Sequence, residues 1–385
     1  MNPSRKSIQV NLAAQSYRIE IGTGLLDEIG NQIVSLGNIS QIAVITDSTV
    51  EPLYAQRIAD SLTQSGFDLN VFVVPEGEES KSLEMTNTLW NCLLEYKLDR
   101  KAVLIALGGG VIGDLTGFVA STYARGVRFF QIPTTLLAQT DSSVGGKVGI
   151  NFNDTKNMIG SFYQPQGVLI DPQTLETLSD RQYRAGLGEV VKYGASLDST
   201  FFSFLENNVD AINRRDVNIL SEIIAQCCQM KTDIVINDEK ETTGLRALLN
   251  YGHTFAHSFE AAAGPGNILH GEAVAVGLIF AIKLALNLKD RLNGFQTLDE
   301  NFLAKQIKLN QELKLPFSLN DLSQIDPQWN NKDISPEKLF HFMTFDKKNE
   351  NAQLCFVLPT SCGHCQRVSG IEPSDVLDVL TSSLK

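Results

Sequence analysis

Between residues 41 and 113 short apolar runs alternate with helical stretches, and the last run closes on a cluster of glycines. Gln41–Asp47 has the continuous apolar character of a buried strand, and residues 51–65 read as a helix. A strand at 69–74, a helix at 82–95 and the strand Ala102–Leu107 follow. Strands alternating with helices predict a parallel sheet with helices on its faces. Ligands in such folds bind beyond the carboxyl ends of the strands. There the chain reads Gly108-Gly109-Gly110-Val111-Ile112-Gly113-Asp114, with glycines 108, 110 and 113 in Gly-x-Gly-x-x-Gly spacing. Glycines between strand and helix let a phosphate approach the backbone, and the helix start supplies free N–H groups. A tight turn that merely packs helix on strand is the plain alternative, and the strand–turn–helix context favours a bound nucleotide. The loop Glu76-Gly-Glu78-Glu-Ser-Lys81 offers another contact, and residues 7–21 alternate as a hairpin or two edge strands.

From Arg125 to Asn157 polar residues crowd a mixture of loop and strand: Thr134-Thr135, Asp141-Ser-Ser, Gly145-Gly-Lys147 and Lys156-Asn157. The lysines suit a phosphate, but Val148 after Lys147 excludes the Gly-x4-Gly-Lys-Ser/Thr loop. From about residue 181 helical periodicity takes over, at 200–213, 216–237, 242–261, 271–288, 300–313 and 336–344. The tail returns to short strands at 352–358 and 366–369 and a helix at 373–384. These patterns predict an α/β domain over 1–180 and a mainly α-helical domain over 181–385, with the active site in the cleft between them.

Three of the five histidines fall between His253 and His270. If 242–261 is one helix, Arg246, Asn250, His253 and His257 share a face at 3.6 residues per turn. A solvated face normally carries Lys and Glu, so this stripe points to a metal site rather than to water. Glu189 and Lys192 stand at i and i+3 on an otherwise apolar helix, where a carboxylate needs a cation. Two imidazoles and one carboxylate leave an open coordination position, the pattern of a catalytic zinc. Spacing does not decide whether His253 and His257 ligate together or His270 replaces either.

A net charge of −12 argues against a nucleic-acid partner, and any anionic ligand needs a local cluster of Lys and Arg. The amino-terminal residues lack the apolar run of a signal peptide. The stretch Ala273–Ile282 is too short to span a bilayer, so an intracellular, cytoplasmic protein is expected. The six cysteines make no disulfide framework. Cys227 and Cys228 belong in a buried helix. Cys362-Gly-His-Cys365 looks like half a zinc ribbon or a redox pair, and free thiols near a strand end are the plainer expectation.

Together the segments Gly108–Phe118, Arg125-Gly-Val-Arg-Phe, Pro133-Thr-Thr-Leu-Leu, Asp141–Lys147, Lys156-Asn-Met-Ile-Gly, Glu189-Val-Val-Lys-Tyr-Gly, Leu248–His253 and His270-Gly-Glu-Ala-Val closely resemble the 3-dehydroquinate synthase family. The likeness runs from about residue 8 to 370. It implies a Rossmann-like NAD-binding α/β domain, a helical metal-binding domain and a homodimer. It implies conversion of 3-deoxy-arabino-heptulosonate 7-phosphate to 3-dehydroquinate and phosphate in the shikimate pathway. Transient oxidation by NAD acidifies the neighbouring C–H, phosphate is eliminated, the hydride returns and an aldol addition closes the ring.

By that resemblance Glu189, His253 and His270 hold a divalent metal, zinc or cobalt. Asp47, Glu76, Glu78, Lys81, Gly109, Gly110, Val111, Asp114, Thr134, Thr135, Lys147, Lys156, Thr174, Leu175 and Thr177 line the NAD site. Asp141, Lys147, Asn157, Lys192, Lys231, Arg246, Asn250, His257, Lys347 and Lys348 surround the substrate, and Arg125 reaches the partner subunit's site. Lys147, Asn157 and His257 suit the phosphate, and Lys231 and Arg246 the carboxylate. Phe152-Asn-Asp-Thr155 departs from the His-Pro-Leu-Gly-like turn common before the Lys-Asn pair. A cyclase acting on sedoheptulose 7-phosphate would lose the carboxylate contacts. A polyol dehydrogenase would not need so many anion-binding groups, and a non-catalytic NAD and metal sensor would lack catalytic residues.

Overall fold

The computed structural model describes residues 5–13, 15–153, 155–326, 328–329, 334–344 and 354–384. The chain divides into two compact units, Met1–Leu178 with Val217–Lys240, and Ser179–Asp216 with Glu241–Lys385.

The first unit is built on one sheet of β1 (Lys6–Val10), β2 (Tyr17–Ile21), β3 (Ile42–Asp47), β4 (Leu69–Val74), β5 (Val103–Gly108), β6 (Arg128–Pro133) and, after the hairpin β7 (Lys147–Phe152) and β8 (Thr155–Phe162), β9 (Gly167–Ile170). The order across the sheet is β1-β2-β9-β6-β5-β3-β4. Every pairing is parallel except β1 with β2, which are antiparallel neighbours at one edge as their alternation predicts. Both faces are buried, which is why β3 is apolar from Ile42 to Ile45 and β5 from Val103 to Leu107. Ala43, Ile45, Leu104 and Ala106 pack on one side with Leu89 and Leu93 of the helix Leu83–Glu95 and Leu115 of the helix Gly110–Thr122. Ile42, Val44, Val103 and Ile105 pack on the other with Ile29, Ile33, Ile58 and Leu62. β4 lies to one side of β3 and β5 to the other, so the chain reverses its direction of travel across the sheet between them. Ligands bind at the carboxyl ends beside such a switch.

The polar stretch 125–157 holds more regular structure than its composition indicates. β7 and β8 form an antiparallel hairpin, with Asn153 in the left-handed region at φ 51°. Of the segment that departs from the family pattern, Phe152 and Thr155 pair with each other at the end of this hairpin, and Asp154 lies outside the described residues. The helix Val217–Asn237 groups with the first unit, although the expected break near residue 180 placed it in the second. Its Lys6–Glu222 ion pair reaches β1, and Cys228 Sγ lies 3.2 Å from the Gln139 carbonyl. A break read from periodicity misses such a return, because a helix looks the same whichever core it joins.

The second unit is helical. Its principal members are Asp180–Leu197, Ser199–Asn207, His253–Ala263, His270–Leu288, Glu300–Glu312 and Pro373–Leu384, with the hairpin β10 (Cys355–Ser361) and β11 (His364–Ser369). The helix His270–Leu288 is long and apolar enough to cross a membrane, and 83% of that window is buried inside the fold. It is the core helix foreseen from the shorter run Ala273–Ile282.

The expected helix over 242–261 is broken. Leu245–Asn250 is a 3-10 turn, Gly252 stands in the left-handed region at φ 76°, and a new helix starts at His253. The single stripe of Arg246, Asn250, His253 and His257 therefore does not form, and of the four only His253 and His257 share a helix. The break is imposed from outside: a Cβ on Gly252 would lie 2.8 Å from the Leu278 amide nitrogen, and one on Gly277 would lie 2.4 Å from the Gly252 carbonyl. Two backbones touch where any side chain would hold them apart.

Candidate active site

Glycine contacts bring the histidines and Glu189 together. Gly188 precedes Glu189 and Gly271 follows His270, and here their helices cross backbone to backbone. A Cβ on Gly271 would fall 1.7 Å from the Ala185 carbonyl, and one on Gly188 would fall 2.2 Å from the Gly271 carbonyl. The Gly252–Gly277 contact sets His253 against the same helix. As a result Glu189 Oε1 lies 3.4 Å from His253 Nε2 and 3.1 Å from His270 Nε2. Two ligands each about 2.1 Å from an ion at the tetrahedral angle stand about 3.4 Å apart, so the three donors fit one zinc-sized cation.

The surroundings favour such an ion. Glu189 is 1% exposed, and its other oxygen pairs with the Lys192 ammonium one turn along. Burial works to raise the Glu189 carboxyl, but Lys192 and His270 reverse this and lower it to about 2. Burial works to lower the His270 imidazole, yet Glu260 and Glu189 on either side raise it to about 10. Two carboxylates facing one imidazole make a pocket that attracts positive charge. Each histidine is also held from behind: His253 Nδ1 is 3.1 Å from the Tyr251 carbonyl and His270 Nδ1 is 3.0 Å from Glu260 Oε2.

His257 follows His253 by one turn and is half-buried, its ring centroid 5.5 Å from that of His253 and 6.1 Å from that of His270. It belongs to a second cluster, His257–Glu260–His270, and not to the set around Glu189. Arg246 is 2% exposed and pairs with Glu241 at 3.7 Å, and Asn250 is half-buried. Lys347 and Lys348 lie outside the described residues. Neither metal-ligand cluster among the described residues includes a cysteine, and none of the six cysteines forms a disulfide, so the half-zinc-ribbon reading of Cys362–Cys365 finds no support. Cys362 sits in the β10–β11 turn, where the Gly363 amide donates to the Ala195 carbonyl at 2.9 Å.

In the first unit Asp47, Gly109, Gly110 and Thr134 gather at the carboxyl ends of β3, β5 and β6. The helix beginning at Gly110 has no side-chain cap, which leaves its first N–H groups for a ligand. Thr134 Oγ1 is buried without a hydrogen-bond partner among the described residues. A Cβ would lie 3.0 Å from Thr135 Cγ2 at Gly109 and 3.0 Å from Ser142 Oγ at Gly110, so both positions are cramped for a side chain. An uncapped helix start beside an orphaned hydroxyl fits a dinucleotide's phosphates. Lys81 Nζ donates to Asp114 Oδ2 at 2.6 Å, and Glu78 Oε1 accepts from Asn151 at 2.9 Å. Asp47 Oδ1 caps the amides of Thr49 and Val50, and Glu76 accepts from the Thr49 hydroxyl. Val111 is half-buried, and the Leu175 side chain is wholly buried. Thr174 and Thr177 are both bonded to the Tyr54 hydroxyl. The Lys231 ammonium is held by the Asp141 carboxylate at 3.0 Å and the Asp141 carbonyl at 2.7 Å. Lys147, Lys156, Asn157 and Arg125 are exposed, and Asn157 at φ 53° donates its amide to Asn151.

Glu260, Glu241, Asn151 and Tyr54 are absent from the sequence-based list. Glu260 stands one turn beyond His257 on the expected helix and on the observed one alike, and only the fold brings it against His270 on the next helix.

Two family descriptions match the chain, 3-dehydroquinate synthase N-terminal over residues 71–185 and 3-dehydroquinate synthase C-terminal over 186–349. The 3-dehydroquinate synthase of Desulforamulus reducens is 44% identical over 97% of this chain and 99% of its own. Among solved structures, the 2-epi-5-epi-valiolone synthase of Streptomyces hygroscopicus subsp. jinggangensis, with NAD+ and Zn2+ bound, superimposes with a TM-score of 0.83. It is 26% identical and covers 97% of this chain and 98% of its own. A 2-deoxy-scyllo-inosose synthase complexed with carbaglucose-6-phosphate, NAD+ and Co2+ has a TM-score of 0.82 and 25% identity, over 98% of this chain and 100% of its own.

Proposed function

The chain belongs to the 3-dehydroquinate synthase family, and from that premise we propose that it converts 3-deoxy-arabino-heptulosonate 7-phosphate to 3-dehydroquinate and inorganic phosphate. In class it is a carbon–oxygen lyase that eliminates phosphate and closes a ring. The observation that carries the reading is Glu189 Oε1 facing the Nε2 atoms of His253 and His270 at 3.4 and 3.1 Å, a three-donor set that leaves a tetrahedral ion its fourth position.

Glu189, His253 and His270 hold the metal, and the helix start at Gly110 with Thr134 and the Lys81–Asp114 pair receives NAD. When bound, NAD supplies a reversible hydride acceptor and the zinc or cobalt ion supplies Lewis acidity. Lys192 pairs with one Glu189 oxygen and leaves the other to face the histidines. Arg246 presents a buried guanidinium suited to bidentate capture of the substrate carboxylate, and Glu241 orients it. Lys231, oriented by Asp141, provides a second cation for the carboxylate. Lys147, Asn157 and His257 serve the phosphate, while Asn250 orients the substrate hydroxyls. The enzyme acts in the cytoplasm as a homodimer in which Arg125, exposed at the end of a short turn, reaches the partner's site.

The test is phosphate release by the purified protein from the heptulosonate phosphate, compared with sedoheptulose 7-phosphate. Phosphate is expected one-for-one with heptulosonate consumed, with no net NADH absorbance and with a deuterium on the oxidised carbon retained in the product. Preference for the carboxylate-free sugar, or stoichiometric NADH, overturns the assignment.

A further inference from the structure

The two histidines facing Glu189 are supported differently. His253 Nδ1 faces a backbone carbonyl, that of Tyr251, at 3.1 Å. His270 Nδ1 faces a carboxylate, Glu260 Oε2, at 3.0 Å. Glu260 lies on the helix His253–Ala263, two turns beyond His253, and its side chain is only 12% exposed. His270 is the first residue of the helix His270–Leu288, so no preceding turn of that helix fixes its ring. The segment entering it is held instead by Arg181, which donates to both Glu272 oxygens at 2.8 and 2.9 Å and to the Asn267 carbonyl at 2.9 Å. That anchors the backbone and leaves the imidazole's orientation to its own hydrogen bond.

An imidazole with one nitrogen against a carboxylate keeps its proton there and offers the other nitrogen's lone pair outward. For His270 the outward nitrogen is Nε2, the atom 3.1 Å from Glu189. The negative charge behind the ring also makes that lone pair a stronger donor than one backed by a neutral carbonyl. We infer that Glu260 is a positioning residue that fixes the tautomer and ring plane of His270 for metal binding. The inference rests on the proposed metal site and adds to it a carboxylate behind one ligand.

The experiment uses the full chain as Glu260→Ala, Glu260→Gln and His270→Ala. It measures Zn2+ affinity by chelator competition, metal stoichiometry by elemental analysis, the Co2+ absorption spectrum and metal-free thermal stability. Glu260→Ala is expected to bind Zn2+ some 10–100-fold more weakly with an altered Co2+ spectrum. Glu260→Gln, which still accepts a hydrogen bond but lacks the charge, should fall between it and the parent. Both should keep a stoichiometry of one and a folded metal-free state with a cooperative thermal melt. Wild-type affinity and spectrum in Glu260→Gln and Glu260→Ala, while His270→Ala loses the metal, overturn the role of Glu260 alone. Retention of the metal by His270→Ala overturns the metal site itself. Two ions in the parent and one in the Glu260 variants would make Glu260 a ligand of a second cation shared with His257, and would likewise overturn the inference.

Discussion

Gly271→Ala is the sharpest test of how the site is assembled, because it adds one methyl group and removes no ligand. That methyl would stand 1.7 Å from the Ala185 carbonyl oxygen, whereas ordinary contact begins at 3.4 Å, so 1.7 Å must be made up. The obstruction is backbone, with no side chain to swing aside, and so the helices bearing His270 and Glu189 must separate. If the whole shift falls on the ligands, the 3.1 Å between Glu189 Oε1 and His270 Nε2 opens to about 5 Å, well beyond the roughly 3.4 Å a tetrahedral ion spans. Overpacking of this kind costs about 1–3 kcal/mol of stability. Loss of one ligand's geometry should weaken the metal at least about 100-fold, about 2.7 kcal/mol. Thermal melts of the metal-free protein measure the first effect, and Zn2+ titration against a competing chelator measures the second. A variant with parental melting temperature and parental Zn2+ affinity would show that the glycine crossing does not set the ligand spacing.

Chelation is expected to abolish turnover and added Zn2+ or Co2+ to restore it, and full activity in protein shown metal-free by elemental analysis would remove the metal from the mechanism. Arg246→Ala should lose about 2–5 kcal/mol of transition-state binding for the carboxylate-bearing substrate and little for an analogue lacking the carboxylate, read from kcat/KM. Equal losses for the two would release Arg246 from that role. Lys81→Met strips Asp114 of its ammonium partner at 2.6 Å. It should cost about 3 kcal/mol in urea unfolding, the low end for breaking a buried pair, since Asp114 keeps some contact with water, and should weaken NAD binding; an unshifted midpoint would contradict it. Burial raises the Cys365 thiol to about 12 and the Cys362 thiol to about 11. A raised thiol stays neutral until the pH nears that value, so alkylation at pH 8 should be slow in the native protein and rapid in urea. Fast native labelling, read by mass spectrometry, would refute that.

Much of the first unit is legible in the sequence because its signals are local. Buried strands must be continuously apolar, helices must be periodic, and a glycine turn that admits a phosphate must follow a strand and open a helix. Glu189 and Lys192 are legible for the same reason, since i and i+3 neighbours meet on any helix. The choice among His253, His257 and His270 is of another kind. On an unbroken helix over 242–261 all three remain candidates, and residue spacing contains nothing that rejects one. The tertiary contacts separate them: Gly277 presses on Gly252 and ends the turn before His253, while Gly271 and Gly188 bring His270 to Glu189 and leave His257 beside Glu260. The return of Val217–Lys240 to the first unit is equally invisible along the chain. Propensity and period act over a few residues, whereas a glycine forced to positive φ by a distant backbone, or a helix claimed by a distant core, depends on partners that only the folded chain supplies.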